Sequence, residues 1–148
     1  MQRRTKVTAI VFGTFLFLGL SLLLTRAFTG AGNERADVLD LLRAQAAGNA
    51  DGVLAKLPEC RKVPICVEQS RTRTGRLARP GKVEILRFEP SVQVAMLRTT
   101  AFARVAWRTD VQTRPVVQCV RVQREGPLSG AGVRLIAIGE PIAGVGSC

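Results

Sequence analysis

The sequence predicts an α+β fold in which an N-terminal transmembrane helix precedes helices packed on a curved antiparallel sheet of four to five strands. Three observations predict it. The uncharged apolar run Val7–Leu24 lies near the start of the chain, and apolar residues then recur at helical spacing as far as Leu77. From Lys82 onward, apolar and polar residues alternate in short runs separated by turn residues, which is typical of an antiparallel meander.

The apolar run predicts both a membrane anchor and its orientation. A helix over Val7–Leu24 spans about 27 Å, close to the ~30 Å hydrocarbon core of a bilayer. Arg3, Arg4 and Lys6 precede the run, and Arg26 follows it, so the positive-inside rule keeps the N-terminus in the cytoplasm. We therefore expect a cytoplasmic basic tail (1–6), a transmembrane anchor (7–25), a linker (26–32) and an extracytoplasmic domain (33–148).

A different fate of the same run stays open. A signal peptide is cleaved after small residues, and Thr29-Gly30-Ala31 could serve as such a site. The protein would then be secreted. The run is longer than the usual apolar region of a signal peptide, which favours the uncleaved single-pass anchor in the cell membrane.

Capping and breaking residues predict three further helices. Asn33 is placed to cap a helix that runs to about Ala47 and stops at Gly48. Asn49 is placed to cap a second helix. The second and third helices are predicted over about Ala50–Leu57 and from Pro64 to about Leu77 or Ala78.

Alternation predicts strands over Val83–Phe88, Val92–Arg98, Phe102–Arg108, Val116–Arg124 and Val133–Ile138, with turns at Thr99-Thr100 and at 110–115. One sheet face then carries Val105, Trp107, Val120 and Val122 toward the helices. The other face carries Arg104, Arg108 and Arg121, a basic ladder across neighbouring strands.

The four cysteines predict two disulfides, because an even count outside the cytoplasm is typical of a disulfide framework. Three pairings are possible. We favour Cys60–Cys66, which would close one turn, and Cys119–Cys148, which would tie the end of the sequence to a strand. A zinc site is disfavoured, since the spacings match no zinc pattern and the chain has no histidine.

The formal net charge of +11 predicts attraction to an anionic partner, such as lipid headgroups or an acidic envelope polymer. The candidate contact residues are Arg71, Arg73, Arg76, Arg79, Lys82, Arg104, Arg108 and Arg121. A bland interpretation also accounts for them: an arginine-rich composition from a G+C-rich genome and an ordinary solvated sheet face. An envelope protein is a further possible partner, and the oligomeric state stays open.

Residues that are absent exclude several chemistries. Without histidine, neither a Ser-His-Asp nor a Cys-His arrangement can form. No carboxylate pair stands out, and no glycine-rich phosphate loop is present. Nucleic-acid binding is not expected, because the compartment is wrong and aromatic residues are few. We therefore assign no catalytic, cofactor-binding or metal-binding residue, expect no cofactor, and do not expect an enzyme.

Four stretches carry a resemblance to a known fold: LLRAQAAGNADGVLAKL, ARVAWR, VVQCVRVQREG and VRLIAIGEPI. Over about 33–141 the chain resembles the NTF2-like (cystatin-like) fold, in which helices wrap against a curved sheet to form a cone. As a whole it resembles small single-span exported proteins of G+C-rich bacteria. The superfamily includes isomerases, dehydratases and limonene-epoxide-type hydrolases, and also non-catalytic domains anchored beside a membrane span in secretion machinery.

The resemblance implies three functions. The first is a non-catalytic binding or assembly role in the cell envelope. The second is a cone-pocket enzyme or small-ligand binder of the SnoaL-like or isomerase-like type. Isomerase-like members use an aspartate base with a tyrosine oxyanion donor, and this chain has no tyrosine. The third is a subunit of a secretion or conjugation apparatus, by analogy of fold alone.

Overall fold

A computed structural model of the chain describes residues 2–90, 98–125, 132–143, 146 and 148, with side chains for 11–22, 25 and the described residues from 33 onward. In order along the chain these residues form α1 (Gln2–Ala46), α2 (Ala50–Lys56), a 3₁₀ turn (Cys60–Lys62), α3 (Pro64–Leu77), β1 (Val83–Glu89), β2 (Thr99–Thr109), β3 (Val116–Arg124) and β4 (Val133–Ile142). The predicted α+β class is confirmed, with an antiparallel sheet of four strands in the described residues.

Helix α1 is continuous over 45 residues, a length of about 67 Å. The predicted N-cap at Asn33 is therefore wrong, and the residues of the predicted linker, 26–32, are helical. Gly30 and Gly32 each cost a helix only about 1 kcal/mol, and the first proline of the chain is Pro58, so nothing in this stretch stops the helix.

The predicted transmembrane anchor, residues 7–25, lies within α1. Within the described residues, no helix is both long and apolar enough to cross a membrane. The side chains of 7–10, 23 and 24, which belong to the predicted anchor, lie outside the described set.

The predicted break between the first two helices is confirmed. Gly48 has φ of +70°, in the left-handed region where glycine carries no Cβ penalty, and its N–H donates to Gln45 O at 3.0 Å. Asn49 caps α2 by accepting a hydrogen bond from Gly52 N at 2.8 Å. The chain therefore reverses, and α2 runs back along α1.

Ion pairs hold α2 against α1. Lys56 Nζ lies 3.0 Å from Asp40 Oδ2 and 3.6 Å from Asp37 Oδ1. The hydrogen bond from Lys56 lowers the pKa of the Asp40 carboxyl, and the same bond raises the pKa of Lys56. Helix α3 then runs the opposite way and ends beside the end of α1, where Arg79 N donates to Ala46 O at 2.8 Å.

The sheet has the order β1-β2-β3-β4, and each strand pairs antiparallel with the next. The predicted Thr99-Thr100 turn is wrong: Thr99 pairs with Arg124 and Thr100 with Gln123. Threonine is β-branched and fits a strand, so it is a weak turn signal. Residues 92–97 of the predicted strand Val92–Arg98 lie outside the described residues, and Arg98 is not in a strand.

Strand β4 continues beyond its predicted end, through Pro141 to Ile142. Proline donates no ladder hydrogen bond and is tolerated here because β4 is an edge strand. Strand β1, at the other edge, has a register shift between Ile85 and Arg87. Such a bulge bends an edge strand and discourages further pairing.

The core lies between the helices and one sheet face, as predicted for Val105, Trp107, Val120 and Val122, each of which is 0% exposed. From the helices, Val38, Leu41, Leu42 and Leu57 pack into the same cluster, also at 0% exposure. Removing any of the large side chains would cost about 2–5 kcal/mol.

A buried polar network joins α1 to the middle of this core. Gln118 Oε1 accepts hydrogen bonds from Gln45 Nε2 at 3.0 Å and from Trp107 Nε1 at 2.8 Å. Gln118 Nε2 donates to Gly139 O at 3.0 Å. Nearer the start of the domain, the fully buried Glu34 of α1 pairs with Arg124 at the end of β3. These two contacts fix where α1 lies on the sheet.

Both predicted disulfides are present. Cys60–Cys66 has a Cα–Cα distance of 5.3 Å, and Cys119–Cys148 has one of 5.7 Å. The first closes the turn that leads into α3. The second ties Cys148 to β3, on the sheet face that points away from the helices. All four cysteines are therefore bonded.

Candidate functional site

The largest exposed apolar surface of the described residues lies on α1. Between Val11 and Leu22 every large apolar side chain is at least 49% exposed, and Phe15 reaches 73%. These side chains project from all sides of the helix. A helix that is apolar all round requires an apolar environment, which the other described residues do not supply.

A second exposed apolar patch lies on the turn closed by Cys60–Cys66. Val63 is 46% exposed and Ile65 is 66% exposed, next to the exposed Arg61 and Lys62. The turn is held from inside, because Cys60 is 3% exposed and its Sγ lies 3.4 Å from Ser70 Oγ. We call residues 60–66 the stapled turn.

The candidate basic residues of α3 are mostly engaged in ion pairs. Arg73 is 11% exposed; it binds Glu140 Oε1 at 3.0 Å and Ile138 O at 2.6 Å, which fastens α3 to β4. Arg76 pairs with the same Glu140, and Arg71 lies 3.8 Å from Asp51. These arginines therefore contribute to holding the helix layer together.

Arg79 and Lys82, the two candidate residues that follow α3, are more available to a partner. Arg79 is exposed, and its guanidinium donates to the carbonyls of Arg76 and Ala78 at the end of α3. Lys82 is exposed too; its backbone N–H donates to Asp110 Oδ1 at 3.0 Å and its carbonyl accepts from Asp110 N at 3.1 Å.

The predicted basic ladder on the outer sheet face is interrupted by acidic residues from β1. Arg104 is 20% exposed and lies 3.6 Å from Glu89, while Arg108 lies 3.3 Å from Glu84. Arg121 is exposed and sits opposite Phe102, itself 51% exposed. The outer face and α3 lie on different layers, so the eight candidates do not form one surface.

The acidic residues of the sheet region all have partners. The pairs are Glu84–Arg108 at 3.3 Å, Glu89–Arg87 at 2.8 Å, Asp110–Lys82 N at 3.0 Å, Glu125–Arg98 at 3.2 Å and Glu140–Arg73 at 3.0 Å. Among the described residues, no group of three or more His, Cys, Asp or Glu is placed to hold a metal ion.

A groove of about 500 Å³ opens between α1 and the edge strand β1. Its lining comprises Arg35, Ala36, Leu39, Val83, Glu84 and Ile85. It lies beside the sheet and not over its centre, because Trp107, Gln45 and Gln118 fill the space between α1 and the middle strands. The groove thus combines an apolar floor with a rim of one acidic and one basic residue.

The three comparisons with known proteins gave no relative: no protein family, no curated protein and no solved structure matches this chain.

The stapled turn is a surface that the sequence analysis did not select. The sequence shows a basic stretch between two cysteines, but it does not show that Val63 and Ile65 point outward. The neighbouring cysteines were the available signal, because a disulfide between residues with a sequence separation of 6 closes a short loop that leaves little room to bury its own side chains.

Proposed function

We propose that the chain is a single-span membrane protein whose disulfide-bonded domain lies outside the cytoplasm and acts by binding, without catalysis. The observation that carries the proposal is the apolar helix surface from Val11 to Leu22, exposed on all sides. In the sequence this surface belongs to the uncharged run Val7–Leu24, which is long enough for a bilayer core. Its basic flanks support a cytoplasmic N-terminus.

The two disulfides support the same compartment. Disulfides persist in oxidising environments and are rare in the cytosol. All four cysteines are paired, and both bridges lie in the folded domain beyond α1's apolar part. The arrangement agrees with a domain that is translocated before it folds.

A binding role is supported by how the charged and interior groups are used. The acidic residues of the sheet region are engaged in ion pairs or hydrogen bonds, and side chains fill the space where a central cone pocket would lie. The exposed Arg79, Lys82 and Arg121 are available to an anionic envelope component or an envelope protein. The NTF2-like resemblance stays a proposal for the fold, supported by the order of helices and strands.

The anchor is tested by vesicle flotation of the full chain. An aspartate at the centre of a span costs about 3 kcal/mol, so Leu16→Asp with Leu20→Asp costs about 6 kcal/mol plus the lost leucines. The double variant should stay at the bottom of the gradient while the wild type floats. Val111→Asp, one change to aspartate at an exposed apolar residue outside α1, should float. Flotation of the double variant would refute the anchor.

A further inference from the structure

We propose that the stapled turn, residues 60–66, is a second membrane contact that docks on anionic lipid headgroups beside the anchor. The inference rests on the proposed function, because it requires α1 to hold the domain at a bilayer. It adds a binding surface, names its ligand as an anionic lipid surface, and gives the domain a fixed side toward the membrane.

Contacts place the stapled turn at the end of the domain where α1 enters. Glu34, the first of the described α1 side chains to be buried, pairs with Arg124 at the end of β3. Arg124 is the register partner of Val133, the first residue of β4. The next residue, Arg134, lies 3.8 Å from Glu59, which immediately precedes the turn. The turn and the entry point of α1 therefore share one end of the sheet.

The helix directions agree with this placement. Helix α2 runs back along α1, since Lys56, the last residue of α2, pairs with Asp37 and Asp40 of α1. The stapled turn follows, and α3 then leads away from it to Arg79, which bonds to Ala46 at the far end of α1. If residues before Glu34 lead to the bilayer, the stapled turn faces it.

The chemistry of the stapled turn fits a membrane interface. Arg61 and Lys62 are exposed beside Val63 and Ile65, which are 46% and 66% exposed. Lys62 Nζ lies 3.0 Å from Glu59, yet its side chain remains 68% exposed. Basic groups attract anionic headgroups, and neighbouring apolar side chains insert below them. The disulfide fixes these side chains outward, so little ordering is required on binding.

The helix length brings the turn within reach of the headgroups. Glu34 lies ten residues beyond Leu24, about 15 Å along a continuous helix. The headgroup layer accounts for about 5–7 Å of that distance. The remaining distance between the headgroup surface and the level of Glu34 is close to the Debye length of about 8 Å at physiological salt. Arg61 and Lys62 are therefore attracted electrostatically by anionic headgroups. A helix tilt of about 20° brings one side of the domain closer still.

Fluorescence quenching of the full chain tests the contact. Ile65→Trp places a tryptophan on the stapled turn, and Val111→Trp places one on the turn after β2, at the opposite end of the domain, where Val111 is 70% exposed. Both chains are reconstituted in vesicles of equimolar brominated phosphatidylcholine and phosphatidylglycerol. Wild type, which carries only the buried Trp107, supplies the background.

We expect the fluorescence added by Ile65→Trp to fall by about half or more in brominated vesicles, since interfacial insertion reaches about 5–10 Å. The fluorescence added by Val111→Trp should not change. Adding Arg61→Gln and Lys62→Gln to the Ile65→Trp chain should weaken its quenching, most strongly at low salt. Each of these results supports the contact.

The possible failures are distinguishable. A chain that does not float with the vesicles refutes the anchor, and the contact with it. A chain that floats while the fluorescence of Ile65→Trp is unquenched refutes the contact alone. Equal quenching of Ile65→Trp and Val111→Trp also overturns it, because the stapled turn would then have no preferred position at the membrane.

Discussion

The buried network around Gln118 makes a quantitative prediction about what holds α1 on the sheet. In Gln118→Leu, three groups lose a partner: Trp107 Nε1, Gln45 Nε2 and Gly139 O. Each orphaned group costs about 1–3 kcal/mol, and the part-buried Gly139 O lies at the lower end of that range. The buried leucine returns about 2 kcal/mol of apolar transfer free energy. We expect a net loss of about 4 kcal/mol in the free energy of unfolding.

Gln45→Leu is the matched comparison, because it changes the other glutamine of the same bond. Gln45 Oε1 is buried and has no hydrogen-bond partner among the described residues, so leucine removes an unsatisfied acceptor. Gln118 Oε1 keeps its bond from Trp107 Nε1. The loss of one bond and the removal of one unsatisfied group offset each other, and we expect a change of less than about 1 kcal/mol.

Urea unfolding of the full chain in a mild detergent, followed by circular dichroism, measures both variants. With an m-value of about 2 kcal/mol per M, Gln118→Leu shifts the midpoint down by about 2 M. Gln45→Leu leaves it nearly in place. Equal losses for the two variants would refute the reasoning, because the cost would then come from shape and not from unsatisfied polar groups.

Three further predictions concern stability. Gly81→Ala should lower the free energy of unfolding by about 2 kcal/mol or more, because Gly81 has φ of +132° and a Cβ would overlap Asp110. Gly75→Ala, at an open position of α3, should raise it by about 0.5–1 kcal/mol. Similar effects of the two variants in thermal unfolding would contradict this. Replacing both cysteines of a disulfide by serine should lower the free energy of unfolding by about 2 kcal/mol for Cys60–Cys66 and by about 3.5 kcal/mol for Cys119–Cys148, which closes the longer loop. If the Cys60–Cys66 variant had the lower unfolding midpoint, the explanation by loop entropy would be wrong. Because the pKa of Asp40 is lowered in the folded protein, its ion pair with Lys56 stabilises the fold above the unfolded pKa of Asp40, and this stability is lost as pH falls through the folded pKa. The difference in unfolding free energy between wild type and Asp40→Asn should therefore close below about pH 4. A difference that stays constant from pH 6 to pH 3 would exclude the Asp40–Lys56 ion pair as the source of the stability.

Local signals explain what the sequence predicts well. Gly48 and Asn49 mark a helix end and a helix start, because left-handed backbone and side-chain capping are properties of single residues. The alternation around Trp107 predicts the buried sheet face for the same reason, since side chains on a strand point to opposite sides. Sequence separation favours Cys60–Cys66 among the three possible disulfide pairings, because the two cysteines are close enough to close one turn.

Other features depend on energies that a short pattern does not show. The continuity of α1 through Gly30 and Gly32 is one, because two glycines weaken a helix without ending it when residues on both sides are helical. The roles of the candidate arginines are another. Arg73 and Glu140 are 67 residues apart in sequence, and only the packing of α3 on β4 brings them together. The sequence therefore predicts a basic stretch, and in the folded protein many of its arginines form ion pairs with acidic residues of the same chain.

The outward side of the Cys60–Cys66 turn is a third such feature. Which end of the domain it occupies depends on the directions of α1, α2 and α3 together, and no single stretch encodes them. Once Glu59 is found beside Arg134, the turn and the entry point of α1 lie at one end.

The most direct test of the membrane-anchored, extracytoplasmic assignment is the intact mass of the protein extracted from membranes and alkylated without reduction. We predict the mass of the full chain with no alkylated cysteine, because the proposed anchor would stay uncleaved and both disulfides would persist outside the cytoplasm. A mass short by about thirty residues would mean a cleaved signal peptide and a secreted protein. Alkylation of all four cysteines would place the domain in the cytoplasm and contradict the account.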